Sequence, residues 1–218
     1  MRKLFILTVV LVLTSCCSIN YIDKQEYQCL ANENICKNSV IELQNAVKNF
    51  HAEGGCFIVM NMNNHQILMA SSVNNNYQTG YKYWSNNILK ILNKKEKQTP
   101  MTFLTNYVEL VKNSDTQTLS ILKNNILKGS AKNANIDGAN VYGLTATDAK
   151  QAHSDRSEVN TTFLGNFTHD GQSYAILVLL DSPQKLKSTF GFNTSGWNAT
   201  KLAGNIIKII ITGRKNDQ

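Results

Sequence analysis

Two apolar segments, 159–168 and 173–181, stand on either side of Asp170-Gly171 and constrain the fold more than any other feature of the sequence. Asp-Gly is a favoured two-residue turn between antiparallel strands. Both segments have strand length and are rich in β-branched and aromatic residues, which is typical of strands. The chain is therefore predicted to form a β-hairpin here, so any fold for it must include an antiparallel sheet.

A second hairpin is predicted where 56–62 and 66–72 flank the polar triplet Asn63-Asn64-His65. Apolar residues at helical spacing and turn residues predict the other elements. These are helices over 39–51, 85–93, 115–128 and 199–211, a helix opened by Thr99-Pro100, a strand over 140–147 and a loop over 74–80. The Ile-rich end of the last helix is equally compatible with a strand. This order predicts one α+β domain, with an antiparallel sheet flanked by helices.

The N-terminus resembles the export signal of a bacterial lipoprotein. Arg2 and Lys3 precede an apolar run over 4–13, which suits a signal peptide and is short for a transmembrane helix. The run ends in Leu13-Thr14-Ser15-Cys16, which resembles a lipoprotein cleavage box. This predicts a signal peptide over 1–16 and a lipidated Cys16, so that the protein is exported and anchored on the periplasmic side of the membrane. An uncleaved anchor and a plain secretory signal are the alternatives.

Cysteine and charge content narrow the function classes further. Export makes disulfides permissible, and a Cys29–Cys36 bridge is possible, although spacing alone does not establish it. The cysteines and His51 have poor spacing for a metal site, and the only Gly pair, Gly54-Gly55, does not form a phosphate loop, so no metal or cofactor is expected. The net charge of +7 indicates a solvated lysine surface, with no nucleic-acid partner.

Several stretches resemble the transpeptidase domain of class B penicillin-binding proteins, with the cell-division transpeptidase of alphaproteobacterial type as the most similar kind. The residues that carry the resemblance are AEGGCFIVMNM at 52–62, QILMA at 66–70, TPM at 99–101 with Tyr107, GSAKNANIDG at 129–138, NTTFLG at 160–165, LLDSP at 179–183 and TFGFNTSGWNA at 189–199. The resemblance covers roughly 38–213. It implies an internally deleted and degenerate domain, because 74–84 replaces a much longer block of the family pattern. Residues 17–37 would then form a tether and 214–218 a tail.

The resemblance also implies where the family's three catalytic motifs should lie. In S-x-x-K, one helix face holds a serine nucleophile and the lysine that accepts its proton, but no such pair stands at the matching position. Ser85-Asn86-Asn87 resembles the second motif, S-x-N, so Ser85 and Asn87 are its remnants. The third motif, K-T-G-T, is replaced at 144–147 by Leu144, Thr145, Ala146 and Thr147. Leu144 cannot pair with a substrate carboxylate, so only Thr145 and Thr147 remain as motif residues.

These differences lead to three hypotheses. The first is a pseudoenzyme of peptidoglycan synthesis and cell division, a transpeptidase-like protein that binds peptidoglycan or septal cell-wall proteins and is not expected to bind β-lactams. The second is a residual serine acyl enzyme, transpeptidase or β-lactamase-like, that uses Ser120 with Lys123, or Ser85. The third is a non-functional gene remnant.

Overall fold

The computed structural model describes residues 27–73, 99–149 and 158–215. Its strands are β1 (Tyr27–Cys29), β2 (Gly54–Asn61), β3 (Ile67–Ser71), β4 (Asn140–Ala149), β5 (Val159–His169) and β6 (Gln172–Asp181). Its α-helices are α1 (Glu33–Asn49), α2 (Pro100–Lys112), α3 (Thr116–Leu127) and α4 (Ala199–Lys215). Short 3₁₀ turns occur at Lys132–Ala134 and Lys187–Thr189. Within these ranges, none of the helices combines the length and apolar character that crossing a bilayer requires.

The strands form one six-stranded antiparallel sheet in the order β1-β3-β2-β6-β5-β4. Side chains alternate between the two faces of a sheet. Accordingly, Phe57 and Val59 join a buried cluster with α1 and α4, whereas Cys56 and Ile58 join a second cluster with α2. The predicted α+β fold class, an antiparallel sheet flanked by helices, is confirmed.

Both predicted hairpins are present. Asp170 and Gly171 have positive φ angles of 46° and 71° and connect β5 to β6, and His169 pairs with Gln172 on either side of the turn. Gly and Asp tolerate this left-handed backbone better than most residues do, which is why the Asp-Gly pair predicts the turn correctly. The earlier hairpin, β2–β3, also forms at the predicted place.

The helices predicted from Thr99-Pro100, over 115–128 and over 199–211 are present, with small changes at their ends. The side-chain oxygens of Thr99 and Asp115 accept hydrogen bonds from backbone N–H groups in the first turns of α2 and α3, so both residues are N-caps. The last predicted segment is a helix, which excludes the strand alternative. Its isoleucines at 206, 207, 210 and 211 are all buried because their spacing places them on one helix face.

The structure corrects the predicted tether over 17–37 and the domain start at 38. β1 pairs with β3, and α1 begins at Glu33, where the Asn32 side chain accepts a hydrogen bond from Asn34 N at 2.9 Å. A three-residue strand is too short to show periodicity, and five of the first seven residues of α1 are polar, so the sequence pattern indicates neither element. The predicted signal peptide, Cys16, the loop over 74–80 and the helix over 85–93 lie outside the described residues.

A disulfide joins β1 to α1. Cys29 and Cys36 are bridged, with their Cα atoms 6.0 Å apart, and Cys36 is fully buried beneath the sheet edge. The bridge holds β1 and α1 together. It is the disulfide that the cysteine spacing allowed but did not establish.

Removing this bridge should destabilise the domain. We expect the Cys29→Ser/Cys36→Ser variant to lose about 2–3 kcal/mol of unfolding free energy, because the bridge restricts a short loop of the unfolded chain. Urea denaturation measures the change. Reductant should lower the stability of the wild type and leave that of the variant unchanged. Equal unfolding free energies for the wild type and the variant, both measured without reductant, would contradict the expectation.

The cap of α3 should make stability pH-dependent. The Asp115 carboxylate accepts a hydrogen bond from Thr118 N at 2.7 Å, which holds the pKa of this carboxyl below its ordinary value. The stabilisation is therefore complete above the unfolded-state pKa of about 3.9 and disappears as the pH falls through the lower folded-state pKa. Asp115→Asn keeps a capping oxygen that does not titrate, so its urea midpoint should depend less on pH between about pH 5 and pH 2. Identical pH profiles for the variant and the wild type would show that the cap does not contribute.

Candidate functional site

A cleft runs along β4, the edge strand of the described sheet. It has a volume of about 510 Å³, within the range of small-molecule sites. Three segments line it, and we call it the β4 cleft: 129–133 after α3, 145–147 in β4, and 194–197 before α4. The sequence resemblance had singled out all three segments, although they are far apart along the chain.

One wall of the cleft forms where the turn after α3 lies very close to the backbone of α4 and of the segment before it. A Cβ at Gly204 in α4 would lie 2.4 Å from the backbone oxygen of Asn133, so only glycine lets α4 pack against this turn. A Cβ at Gly196 would lie 2.9 Å from the backbone oxygen of Ser130. The Asn133 side chain also donates to the Gly196 carbonyl at 2.7 Å. The first and third segments are therefore held against each other.

Hydroxyl groups connect the cleft segments to β4. Ser130 Oγ lies 2.6 Å from Thr145 Oγ1 and also donates to Asn125 Oδ1 at 3.2 Å. The Asn125 amide in turn donates to the Gly143 carbonyl at 3.0 Å. Thr147 Oγ1 accepts from Ser195 N at 2.9 Å and lies 3.1 Å from Ser195 Oγ. The cleft therefore presents two serine–threonine hydroxyl pairs.

The structure brings together only part of the predicted site. Thr145 and Thr147 both line the β4 cleft, whereas Ser85 and Asn87 lie outside the described residues. Ser130, Ser195 and Trp197 also line the cleft, although no sequence pattern indicates them individually. They lie within the segments 129–138 and 189–199, so the resemblance carried the signal, but serine and tryptophan side chains alone do not reveal which of them face a cleft.

Leu144 occupies a buried apolar position. Its side chain is 3% exposed and belongs to the cluster that contains Phe103 and Leu122. Ala146 is equally buried. At the position where the resemblance expects a lysine, β4 thus contributes to the hydrophobic core and supplies no cation.

The Ser120–Lys123 pair of the acyl-enzyme hypothesis lies apart from the cleft. Ser120 is exposed on α3. Lys123 Nζ donates to Asn140 Oδ1 at 2.6 Å and to the Val141 carbonyl at 3.2 Å, and it lies 5.1 Å from the centre of the Tyr142 ring. These contacts hold the ammonium at the start of β4, and neither residue lines the β4 cleft. Lys132 is the charged residue among the described residues that line it, and it is exposed.

Two ionisable groups are buried away from the cleft. Desolvation raises the pKa of the Cys56 thiol and of the Tyr107 hydroxyl well above their ordinary values, so both stay protonated. The Tyr107 hydroxyl donates to Asn166 Oδ1 at 2.8 Å, which anchors α2 on β5. Both groups are structural. Across the described ranges, no group of three or more His, Cys, Asp or Glu side chains could hold a metal ion.

Substitution at Leu144 should test its place in the core. Leu144→Ala should lower the unfolding free energy by about 2–5 kcal/mol, whereas Leu144→Met, which conserves volume, should cost less than about 1.5 kcal/mol. Leu144→Lys should cost at least as much as Leu144→Ala, since an ammonium in an apolar cluster loses its hydration. Urea denaturation measures all three variants. A lysine variant as stable as the methionine variant would show that this side chain does not face the core.

Comparisons with known proteins agree with this architecture. No protein-family model matches the chain. The Probable peptidoglycan D,D-transpeptidase FtsI of Caulobacter vibrioides (strain NA1000 / CB15N) is 31% identical over 113 residues, which cover 46% of this chain and 19% of that protein. The match thus spans about a fifth of the length of this curated relative.

Solved structures show the same fold. The transpeptidase domain of the FtsI4 D,D-transpeptidase from Legionella pneumophila aligns with a TM-score of 0.59 and 15% identity, over 82% of this chain and 97% of that one. The TP domain of penicillin-binding protein 3 from Burkholderia pseudomallei aligns with a TM-score of 0.62 and 11% identity, over 84% and 95% of the two chains. The resemblance to a class B penicillin-binding protein transpeptidase domain is therefore confirmed, and the chain has the transpeptidase-domain fold of penicillin-binding proteins.

Proposed function

We propose that this chain is a transpeptidase-like protein of peptidoglycan synthesis that binds peptidoglycan without performing acyl transfer. The observation that carries the proposal is the buried Leu144 in β4, at the position where the family motif has a lysine. A leucine cannot form the charge-assisted hydrogen bonds with which a lysine holds a substrate carboxylate.

The absence of an S-x-x-K pair at the matching position supports the same conclusion. Removing the nucleophile of a serine catalytic unit costs about six orders of magnitude in rate, and binding groups elsewhere in the site do not restore it. Ser120 and Lys123 are poor substitutes, because the Lys123 ammonium is bound to Asn140 and Val141 at the start of β4. We therefore favour the pseudoenzyme over the residual acyl enzyme.

The β4 cleft supplies the binding site in this proposal. Its hydroxyl pairs, Ser130 with Thr145 and Thr147 with Ser195, can exchange hydrogen bonds with a polar ligand. Lys132 adds one positive charge at its rim. Peptidoglycan combines hydroxyl, amide and carboxylate groups, so its chemistry matches these side chains.

The location follows from the N-terminal sequence. The lipoprotein-like signal before Cys16 would anchor the protein on the periplasmic side of the membrane, within reach of peptidoglycan and septal cell-wall proteins. The name of the Caulobacter relative, a probable peptidoglycan D,D-transpeptidase, supports a cell-wall setting.

Radioactive palmitate labelling of the wild type and of Cys16→Ser would test the lipid anchor, with label expected only in the wild type.

Fluorescent penicillin labelling tests the absence of acyl transfer. The purified protein should form no covalent adduct under conditions that fully label a D,D-transpeptidase with intact motifs. A stoichiometric adduct would contradict the proposal. If Ser120→Ala or Ser85→Ala removed such an adduct, the residual acyl enzyme would be the correct function.

Cosedimentation with purified peptidoglycan sacculi tests the binding half of the proposal. We expect the wild type to bind, and Lys132→Gln to bind about two- to fivefold more weakly, which is the range for an exposed ion pair. Ser120→Ala, on the exposed face of α3, serves as the control and should bind normally. Failure of the folded wild type to sediment with sacculi would refute peptidoglycan binding and favour the gene remnant.

A further inference from the structure

An aromatic pair, the exposed Phe190 and the half-buried Trp197, lies beside the β4 cleft. The Phe190 side chain is 75% exposed, and its ring centre lies 5.2 Å from that of Trp197 at an interplanar angle of 54°. Trp197 itself lines the cleft. We call these two residues the aromatic platform. The packing of Phe190 on Trp197 leaves most of the phenyl ring facing water beside a polar cleft.

The backbone holds Phe190 in this position at a cost. Its φ of 53° and ψ of 31° lie in the left-handed region, which bulky residues rarely adopt. The Thr189 hydroxyl maintains the turn: it accepts from Leu186 N at 3.3 Å, and the Leu186 and Phe192 carbonyls both lie within reach of its single proton. Thr189 is 3% exposed, so the base of the turn is buried while Phe190 projects outward.

Neither the exposure of the Phe190 ring nor its left-handed backbone stabilises the folded chain. Exposure of a large apolar ring forgoes the free energy of burying it, and the left-handed backbone is strained for a bulky residue such as phenylalanine. An exposed, strained aromatic side chain next to a cleft is the arrangement expected when a ligand supplies the missing contact. The sequence offers no sign of this, because Phe190 is one of eight phenylalanines.

The polar groups of the cleft define what that ligand must contain. The two hydroxyl pairs and the Asn133 amide present neutral hydrogen-bonding groups, and Lys132 presents a cation. No acidic side chain is among the described residues that line the cleft. The matching ligand has a flat C–H surface for the electron-rich aromatic face, a hydroxyl- and amide-bearing edge, and at most a negative charge.

We propose that the aromatic platform and the β4 cleft together bind an N-acetylated amino-sugar ring of the peptidoglycan glycan strand, and not its stem peptide. A hexopyranose ring has both the C–H face and the hydroxyl and acetamido edge that these residues fit. This inference rests on the proposed function and specifies which part of peptidoglycan the cleft binds.

Titration of the purified full-length protein with two separate probes tests this inference. One probe is a peptide-free tetrasaccharide of alternating N-acetylglucosamine and N-acetylmuramic acid, and the other is the free stem pentapeptide. Calorimetry should detect saturable binding of the saccharide and no saturable binding of the peptide. Phe190→Ala should weaken saccharide binding about three- to tenfold, the effect of one aromatic contact, and Phe190→Tyr should retain it.

Two matched variants separate binding from folding. Phe192 is 53% exposed on the same turn, but it neither lines the cleft nor forms the ring contact with Trp197, so Phe192→Ala should leave the saccharide affinity unchanged. Phe190→Gly suits the left-handed backbone, so its Tm should equal or exceed that of the wild type while its saccharide affinity falls as for Phe190→Ala.

The outcomes distinguish failure of the sugar site from failure of the proposed function. Binding to sacculi but not to the saccharide, or an unchanged saccharide affinity in Phe190→Ala, would overturn the sugar site and leave the proposed function in place. Saturable binding of the stem peptide with the same affinity as the saccharide would also overturn it. If the folded wild type does not bind to sacculi, the proposed function itself is refuted.

Discussion

The whole described domain depends on the burial of β6 on both of its faces. β6 pairs with β2 on one side and with β5 on the other, and every side chain from Tyr174 to Leu180 is at most 1% exposed. Alternate residues contribute to the two hydrophobic clusters, so one strand connects the layer of α1 and α4 with the layer of α2. Any shift of β6 by one residue would exchange the two faces, which is why its register is strongly specified.

The position of the cleft follows from the next pairings outward. β5 aligns β4 over its full length, and the paired Gly143 and Gly165 leave room for the Phe163 ring, which lies within 2.8 Å of where their Cβ atoms would be. Side chains at both glycines would displace that ring or the strands. This close packing fixes β4, so that Thr145 and Thr147 meet Ser130 and Ser195 from elements on either side.

This chain shares its fold with transpeptidase domains, but Leu144 departs from the motif that the sequence resemblance implies. The sheet and its helices have the transpeptidase-domain fold of the solved structures. At Leu144, by contrast, the chain has an apolar residue that the core accommodates. Such a change is compatible with the fold, since a buried leucine stabilises a sheet face that a lysine would burden with desolvation. The binding role that we propose uses the β4 cleft and does not require that lysine.

The sequence by itself determined the elements whose signals are local. The Asp170-Gly171 turn, the Thr99 and Asp115 caps and the isoleucine spacing of α4 each specify structure through the backbone preferences of a few neighbouring residues. The resemblance likewise pointed to Thr145 and Thr147, which line the β4 cleft. Only the tertiary structure decided that β1 joins the sheet, that Cys29 bonds to Cys36, and that Trp197 supports an exposed Phe190 beside the cleft. These contacts join residues whose meeting depends on how the sheet and helices pack, and side-chain identity carries no information about that packing on its own.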